Sequence, residues 1–217
     1  MVFIGLFQSI RLQSGICILI FLIKEVYTFP WFCKERNIIF LMKNTFVEKY
    51  IRDNGLAVIQ CDEEKPWGAY YVIEETPEYD KKILWLKPHA LLSLQYHGNP
   101  QHPGHREEGE WLTDMALVLG KEDMTNVPLD SIYEKISTDV GVFKLRKWEK
   151  FSTQAGVLHA YINPFDHDVY LLETRISQIS EQACDREQNI IRIYDTTMRG
   201  GTPDWPQWLR EKINKIK

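Results

Sequence analysis

The chain has 217 residues, of which 44% are hydrophobic and 26% are charged, with a formal net charge of -4 and a pI near 5.9. This length and composition predict one globular domain with extensions, and they exclude a disordered or fibrous chain. Without a bulk positive field to hold a polyanion, we expect no nucleic-acid partner, although a few local cations could still bind a small phosphate. The four cysteines show no paired spacing. They therefore predict neither a disulfide framework nor a zinc knuckle, and they fit a cytoplasmic protein.

Residues 1–41 form an apolar extension whose role the sequence leaves open. Its most apolar run, 15–23, lies between Arg11 and Lys24 and is shorter than the roughly 20 residues of a spanning helix. The extension is a weak membrane anchor, an uncleaved export signal, an N-terminal helix and strand packed on the domain, or upstream codons before a true start at Met42. We favour the Met42 start, because Asn44 is a good N-cap for a helix that follows it. We therefore predict a single domain over 42–217 and no membrane span.

From residue 57 onward, the sequence predicts short strands separated by Gly, Pro, Asn and Asp, which is typical of an all-β fold with antiparallel strands. The predicted strands cover 57–61, 69–74, 82–87, 90–97, 111–119, 142–148, 157–163, 169–176 and 190–194. The segment 122–140 interrupts this rhythm with one or two helical turns. Trp205, Trp208, Leu209 and Ile213 predict an amphipathic helix at the end of the chain. The sequence contains no glycine-rich nucleotide-binding motif.

Two of the predicted strands each direct a histidine to a polar face. Because side chains alternate along a strand, Gln95 and His97 share one face of the strand 90–97, opposite an apolar face. His159 and Tyr161 share a polar face of the strand 157–163 in the same way. If both faces line the interior of a barrel, the two histidines converge on a space for one small ligand.

The segment 98–111 supplies further polar side chains between glycines and prolines. It contains His102, His105, Arg106, Glu107, Glu108 and Glu110. A solvated surface loop is one interpretation of this composition. Combination with His97 and His159 favours the other interpretation, a site for a divalent metal, with zinc first and iron or manganese as alternatives.

Six short motifs follow one another along residues 65–199. They are Lys65-Pro66-Trp67-Gly68, Leu86-Lys87-Pro88, Ser93-Leu94-Gln95-Tyr96-His97, His105-Arg106, Gly156-Val157-Leu158-His159 with Asn163, and Ile190-Ile191-Arg192-Ile193-Tyr194-Asp195. Together they resemble the successive landmarks of type II mannose-6-phosphate isomerase, whose domain is a cupin. The resemblance implies a cupin-type antiparallel β-barrel, or jelly roll, with flanking N- and C-terminal helices.

The resemblance also implies a set of metal ligands, which are His97, His105, a carboxylate and His159. The insertion 98–104 separates two histidines that the family places one residue apart. The family's carboxylate motif is altered here, so the carboxylate ligand is Glu110 or Glu108. We expect Glu110, because it lies closest to the strand that would hold it.

By this resemblance, the activity is the interconversion of mannose 6-phosphate and fructose 6-phosphate through an enediol. The proton-transferring base would be Glu108, Glu173 or Lys87, and the sequence does not choose among them. The predicted substrate-binding residues are three arginines and two residues of the polar faces, namely Arg106, Arg192, Arg199, Gln95 and Tyr161. A surface ion pair is the commoner role of any one such arginine.

Two other functions stay open at this stage. The segments 98–104 and 122–140 lie near the expected substrate entrance, so the substrate is alternatively an unphosphorylated sugar such as lyxose or mannose. A cupin that binds a metal or a sugar without catalysis is the second alternative. The expected partner is a small sugar or sugar phosphate. An edge strand such as 57–61 would also allow a homodimer.

Overall fold

The computed structural model describes residues 42–99, 104–177 and 189–216. The interpretations of residues 1–41 therefore lie outside the described residues. In the part of the chain that is described, no helix is long and apolar enough to cross a membrane.

The described residues form three helices and eleven strands. The helices are α1 (Thr45–Asp53), α2 (Leu129–Asp139) and α3 (Gln207–Asn214). The strands are β1 (Gln60–Lys65), β2 (Gly68–Glu75), β3 (Tyr79–Leu86), β4 (Leu94–His97), β5 (His105–Trp111), β6 (Met115–Asp123), β7 (Gly141–Leu145), β8 (Lys150–Thr153), β9 (Val157–Ile162), β10 (Val169–Ser177) and β11 (Ile190–Tyr194).

The strands pair antiparallel in two sheets. One sheet has the order β1-β2-β3-β10-β5-β8 and the other has the order β11-β4-β9-β6-β7. Neighbours such as β3 and β10, or β4 and β9, are far apart in sequence, so the chain crosses repeatedly from one sheet to the other. This is the connectivity of a double-sheet jelly roll. The predicted all-β, cupin-type barrel with flanking helices is confirmed.

Three apolar layers hold the barrel together. The inner layer lies between the sheets and includes Leu84 and Leu171 of the six-stranded sheet and Leu117 of the five-stranded sheet. Helix α1 packs Val47 and its apolar neighbours on the outer face of the six-stranded sheet. Helices α2 and α3 cover the outer face of the other sheet. Burying each large aliphatic side chain contributes about 1.5–3 kcal/mol, so these layers fix which face of each strand points inward.

The helices lie where the sequence predicts them, although α2 is longer than the one or two turns expected, and several strands differ from their predicted bounds. The Asn44 side chain accepts a hydrogen bond from the Val47 amide at 3.1 Å, as an N-cap should. Strand β5, in contrast, lies in a segment for which a solvated loop was one interpretation, because its charged residues hide the alternation, and β8 lies outside every predicted strand. The predicted strand 142–148 ends at Leu145, since Trp148 adopts φ 72° in the turn before β8. The predicted strand 111–119 spans the turn between β5 and β6.

Candidate metal centre

Three histidines and one carboxylate converge inside the barrel. His97 ends β4, His105 and Glu107 begin β5, and His159 lies in β9. Each of the four residues is at most 1% exposed. Burying polar groups this deeply costs free energy unless they bond to one another or to a ligand, so their clustering marks a functional site.

Glu107 stands at the middle of this cluster. Its Oε1 is 2.9 Å from Nε2 of His97, and its Oε2 is 3.0 Å from Nε2 of His159. The two Nε2 atoms are 3.2 Å apart. Nε2 of His105 lies 3.7 Å from Oε1, and its ring lies 3.8 Å from that of His97, centroid to centroid. The hydroxyl of Tyr161 donates to Oε2 of the same carboxylate.

The strand pattern explains why Glu107 holds this place. Along β5, burial alternates strictly, so His105 and Glu107 point inward while Arg106, Glu108 and Glu110 point outward. The Glu110 carboxylate lies 3.2 Å from Nζ of Lys150 at the surface. The expectation that Glu110 or Glu108 supplies the carboxylate is therefore corrected to Glu107, which shares the face of His105.

A close backbone approach brings His105 beside His97. Gly104 adopts φ +71°, and a Cβ at this position would lie 2.6 Å from backbone atoms of His97 and Gly98. Only a glycine permits this contact, which closes the insertion 98–104 and places the two histidines as neighbours. The insertion therefore does not separate the histidines in space.

We expect Gly104→Ala to weaken the centre. The added methyl group must push the ends of β4 and β5 apart, at a cost of about 1–3 kcal/mol beyond backbone strain. Gly55→Ala is the matched control, because Gly55 adopts φ +63° with nothing within 4 Å of an added Cβ. Urea unfolding and zinc titration of both variants measure the effect. Equal losses in the two variants would contradict the role given to the close approach.

The electrostatics of the cluster favour metal binding. Burial lowers the pKa of His97 to about 3, with His105 adding to this effect, so His97 is neutral with a lone pair available. Burial also lowers the pKa of His105. Burial alone would raise the pKa of Glu107, but His159 and His97 hold it well below its usual range. The carboxylate is thus ionised. Against burial, Glu107 raises the pKa of His159, which favours its protonated form, so a metal that binds His159 must displace this proton.

The donor set fits a divalent metal. Among the described residues, Nδ1 of His97 and both ring nitrogens of His105 are buried without a hydrogen-bond partner. One ligand atom from each of His97, Glu107 and His159 lies within 4.8 Å of the others. Zinc takes such nitrogen and oxygen ligands at about 2.0–2.2 Å in tetrahedral geometry. His159 fixes its ring by the contact of Nδ1 with the Val157 carbonyl oxygen at 2.9 Å, an interaction common for metal-binding histidines.

A cavity of about 510 Å³ opens onto the centre. This is the volume range of small-molecule sites. Glu107, His159 and Tyr161 form part of its lining. Charged residues of β3 and β10 line another part of it, which are Asp80, Lys82, Glu173 and Arg175. Burial and the Glu107 charge raise the pKa of Glu173 to about 7, while Lys82 opposes them.

The structure brings five of the predicted substrate and catalytic residues to this cavity. They are Gln95, Tyr161, Glu173, Arg192 and Arg199.

Three of the predicted residues do not line the cavity. Arg106 and Glu108 point outward and form an ion pair at 3.1 Å, because they have the outward parity of β5. Lys87 follows the end of β3, and its Nζ lies 3.4 Å from the Lys65 carbonyl oxygen and above the Trp85 ring. Arg106 is therefore not placed to bind the substrate, and Glu108 and Lys87 are not placed to act as the base.

Sequence reasoning missed Glu107, Lys82, Asp80 and Arg175. For Glu107 a signal was present, since Glu107 and His105 lie an even number of residues before Trp111 and so share its face of the strand. The other three are charged residues in apolar strands, and their inward direction depends on how β3 pairs with β10.

Fold and site together define an antiparallel β-barrel protein with a buried histidine and carboxylate centre beneath a polar cavity. No family model and no curated protein matches the chain. Among solved structures, the capsular polysaccharide assembling protein CapF from Staphylococcus aureus is similar at 11% identity and a TM-score of 0.45. That match covers 61% of this chain and 33% of CapF, so this chain spans about a third of the length of CapF.

Two further solved structures show a similar likeness. An uncharacterized conserved protein with a double-stranded beta-helix domain from Klebsiella pneumoniae matches at 10% identity and a TM-score of 0.37, over 56% of this chain and 80% of its own. Lactobacillus farciminis oxalate decarboxylase matches at 14% identity and a TM-score of 0.42, over 65% of this chain and 34% of its own.

Proposed function

We propose that the protein is a metal-dependent aldose–ketose isomerase acting on a small sugar or sugar phosphate. One observation carries this proposal. Glu107 and His159 of the metal centre line the same cavity as Glu173, a buried carboxylate on β10. A metal held by His97, His105, Glu107 and His159 would supply a Lewis acid for the substrate oxygens, and zinc, iron and manganese all suit this donor set.

Glu173 is the base in this proposal. Of the three predicted bases, it alone lines the cavity, and its raised pKa suits proton transfer near neutral pH. Its carboxylate takes the proton from the carbon beside the carbonyl group and returns it to the former carbonyl carbon of the enediol. A hydroxyl proton passes between the two substrate oxygens, so the step balances without an oxidant or reductant. Gln95 and Tyr161 line the same cavity and contact the sugar.

Mannose 6-phosphate is the first proposed substrate. Arg192 and Arg199 both line the cavity, and guanidinium groups bind phosphate as forked donors. Asp195, which is 1% exposed, accepts from Nε of Arg199 at 3.1 Å and lies 4.0 Å from Nε of Arg192. Asp195 thus holds both guanidinium groups beside the cavity.

An unphosphorylated sugar such as mannose or lyxose is the second candidate. The favouring observation is the balance of charge on β3 and β10, where Asp80 and Glu173 face Arg175 and Lys82. Paired donors and acceptors of this kind suit neutral hydroxyl groups better than a dianion. The salt dependence of KM separates the two candidates, because binding of a phosphate weakens at high ionic strength.

The first test is a metal assay joined to a coupled isomerase assay on the full chain. We expect about one metal per chain and turnover of mannose 6-phosphate, mannose or lyxose, and we expect His159→Ala to lose both. His89→Ala is the matched control, because His89 is a half-exposed histidine that pairs with Asp166 at 2.9 Å. Metal binding without turnover of any of the three sugars would favour a non-catalytic binding protein. Absence of metal would contradict the ligand assignment.

A further inference from the structure

Two ion pairs cross the inner face of the barrel between β3 and β10. Lys82 lies opposite Glu173, and Asp80 lies opposite Arg175, in the register of the two strands. Nζ of Lys82 is 2.6 Å from Oε2 of Glu173. Nε of Arg175 donates to both oxygens of Asp80 at 3.0 Å. All four side chains line the cavity above the candidate metal centre.

Stability of the fold does not explain these charges. Taking ions out of water costs free energy, and apolar residues of similar volume often replace buried ion pairs without loss of stability. The two pairs also differ in geometry. Asp80 and Arg175 form a bidentate pair, whereas Lys82 presents a single ammonium group to Glu173. Lys82 is therefore the cation whose contact bears most directly on the proposed base.

We infer that Lys82 is a positioning residue for Glu173, holding the carboxylate in one orientation on the cavity wall and balancing its charge. This inference rests on the proposed function, which gives the proton transfer to Glu173. The second ion pair, Asp80 with Arg175, lies two residues away on the same two strands, so it flanks the contact between Lys82 and Glu173 on one side.

Several charged or titratable groups surround Glu173. Lys82 and Asp80 face it from β3, Arg175 lies on its own strand, Glu107 faces it from β5, and His159 and Tyr161 face it from β9. Burial and Glu107 raise the pKa of Glu173, whereas Lys82 and Arg175 lower it. Removal of the Lys82 charge takes away the cation that lies 2.6 Å from the Glu173 carboxylate. The pKa of Glu173 then rises further, and less of the base is ionised at neutral pH.

The activity test compares Lys82→Met with Lys82→Arg. We expect Lys82→Met to bind one metal per chain, to change KM little, and to lower kcat by about 10- to 100-fold, with the acid limb of the pH profile displaced to higher pH. Lys82→Arg keeps the cation and should restore most of kcat. Lys81→Met is the matched control, since Lys81 pairs with Glu74 at 3.7 Å on the other face of β3.

A second measurement does not depend on turnover. In zinc-loaded protein with ¹³C-labelled glutamate side chains, the Glu173 carboxyl resonance is assigned by its loss in Glu173→Gln and then titrated. We expect Lys82→Met to raise the pKa of Glu173 and Lys81→Met to leave it unchanged. An unchanged titration in Lys82→Met overturns the inference. So does a Lys82→Met protein that unfolds or loses metal while Lys82→Arg folds but fails to restore kcat.

The two measurements separate the inference from the proposed function. If the wild-type protein turns over none of the sugars, the proposed function fails. The carboxyl titration still decides whether Lys82 sets the charge of Glu173.

Discussion

Glu107→Gln should abolish stoichiometric metal binding, lowering the affinity for zinc by more than about 100-fold, which exceeds the effect of losing an outer-shell partner. Glutamine preserves the volume and the strand position of the side chain, but it removes the one negative charge at the middle of three histidines. The Glu107 oxygens lie 2.9 Å and 3.0 Å from the Nε2 atoms of His97 and His159. Among the described residues, no other carboxylate belongs to this cluster, so none can take the place of Glu107. Isothermal titration with zinc, with circular dichroism to show folding, measures the loss.

Glu110→Gln is the matched control for this variant. It makes the same chemical change three residues further along β5, but on the outward face, where Glu110 pairs with Lys150. Exposed ion pairs contribute about 0–1 kcal/mol, so we expect wild-type metal affinity and almost unchanged stability. Loss of metal in Glu110→Gln together with retention in Glu107→Gln would contradict the inward direction of Glu107.

The two clearest histidines could be predicted because their strands are amphipathic. Leu94 and Tyr96 alternate with Gln95 and His97, and the apolar set packs beneath α2 and α3. The hydrophobic layer therefore decides which face of β4 turns inward, and alternation alone carries that information. The same reasoning holds for His159 in β9, whose apolar neighbours lie in the same layer.

The carboxylate was missed because β5 lacks an apolar face to reveal its alternation. His105, Glu107 and Gly109 are inward residues of low hydrophobicity, so charge on both faces made the segment resemble a loop. Trp111 is the only large apolar residue among the inward-facing positions of β5, so it alone marks which face of the strand is buried. Counting back from this tryptophan in steps of two reaches Glu107 and His105, and it excludes Glu110 and Glu108.

The charged wall could not be predicted from one sequence. Lys82 and Glu173 are adjacent only because β3 and β10 pair in a particular register across about ninety residues of chain, which local patterns do not encode. A shift of one residue in that register would turn either side chain to the opposite face. The arginines illustrate the same limit. Arg106 forms a surface ion pair with Glu108, which is the commoner role of an arginine. Arg192 and Arg199 line the cavity only because of where β11 and the segment after it lie in the fold.

Glu173→Gln should lower kcat by about 100- to 10,000-fold, the range that a positioned general base contributes. The amide fills the same space opposite Lys82 but cannot accept a proton from the substrate. We expect the metal content to stay at one per chain, because Glu173 lies beside the centre and is not among its ligands. Coupled isomerase kinetics and metal analysis on the same preparation measure the two quantities together.

Glu108→Gln supplies the control for this variant, since Glu108 is the other predicted carboxylate base and points outward toward Arg106. We expect Glu108→Gln to retain wild-type kcat, KM and metal content. Exchange of solvent deuterium into the substrate gives a sharper test, because Glu173→Gln should stop exchange at the carbon beside the carbonyl as well as product formation. Continued exchange in that variant at the wild-type rate would mean that another group moves the proton, and the base would then have to be sought among the remaining polar residues of the cavity.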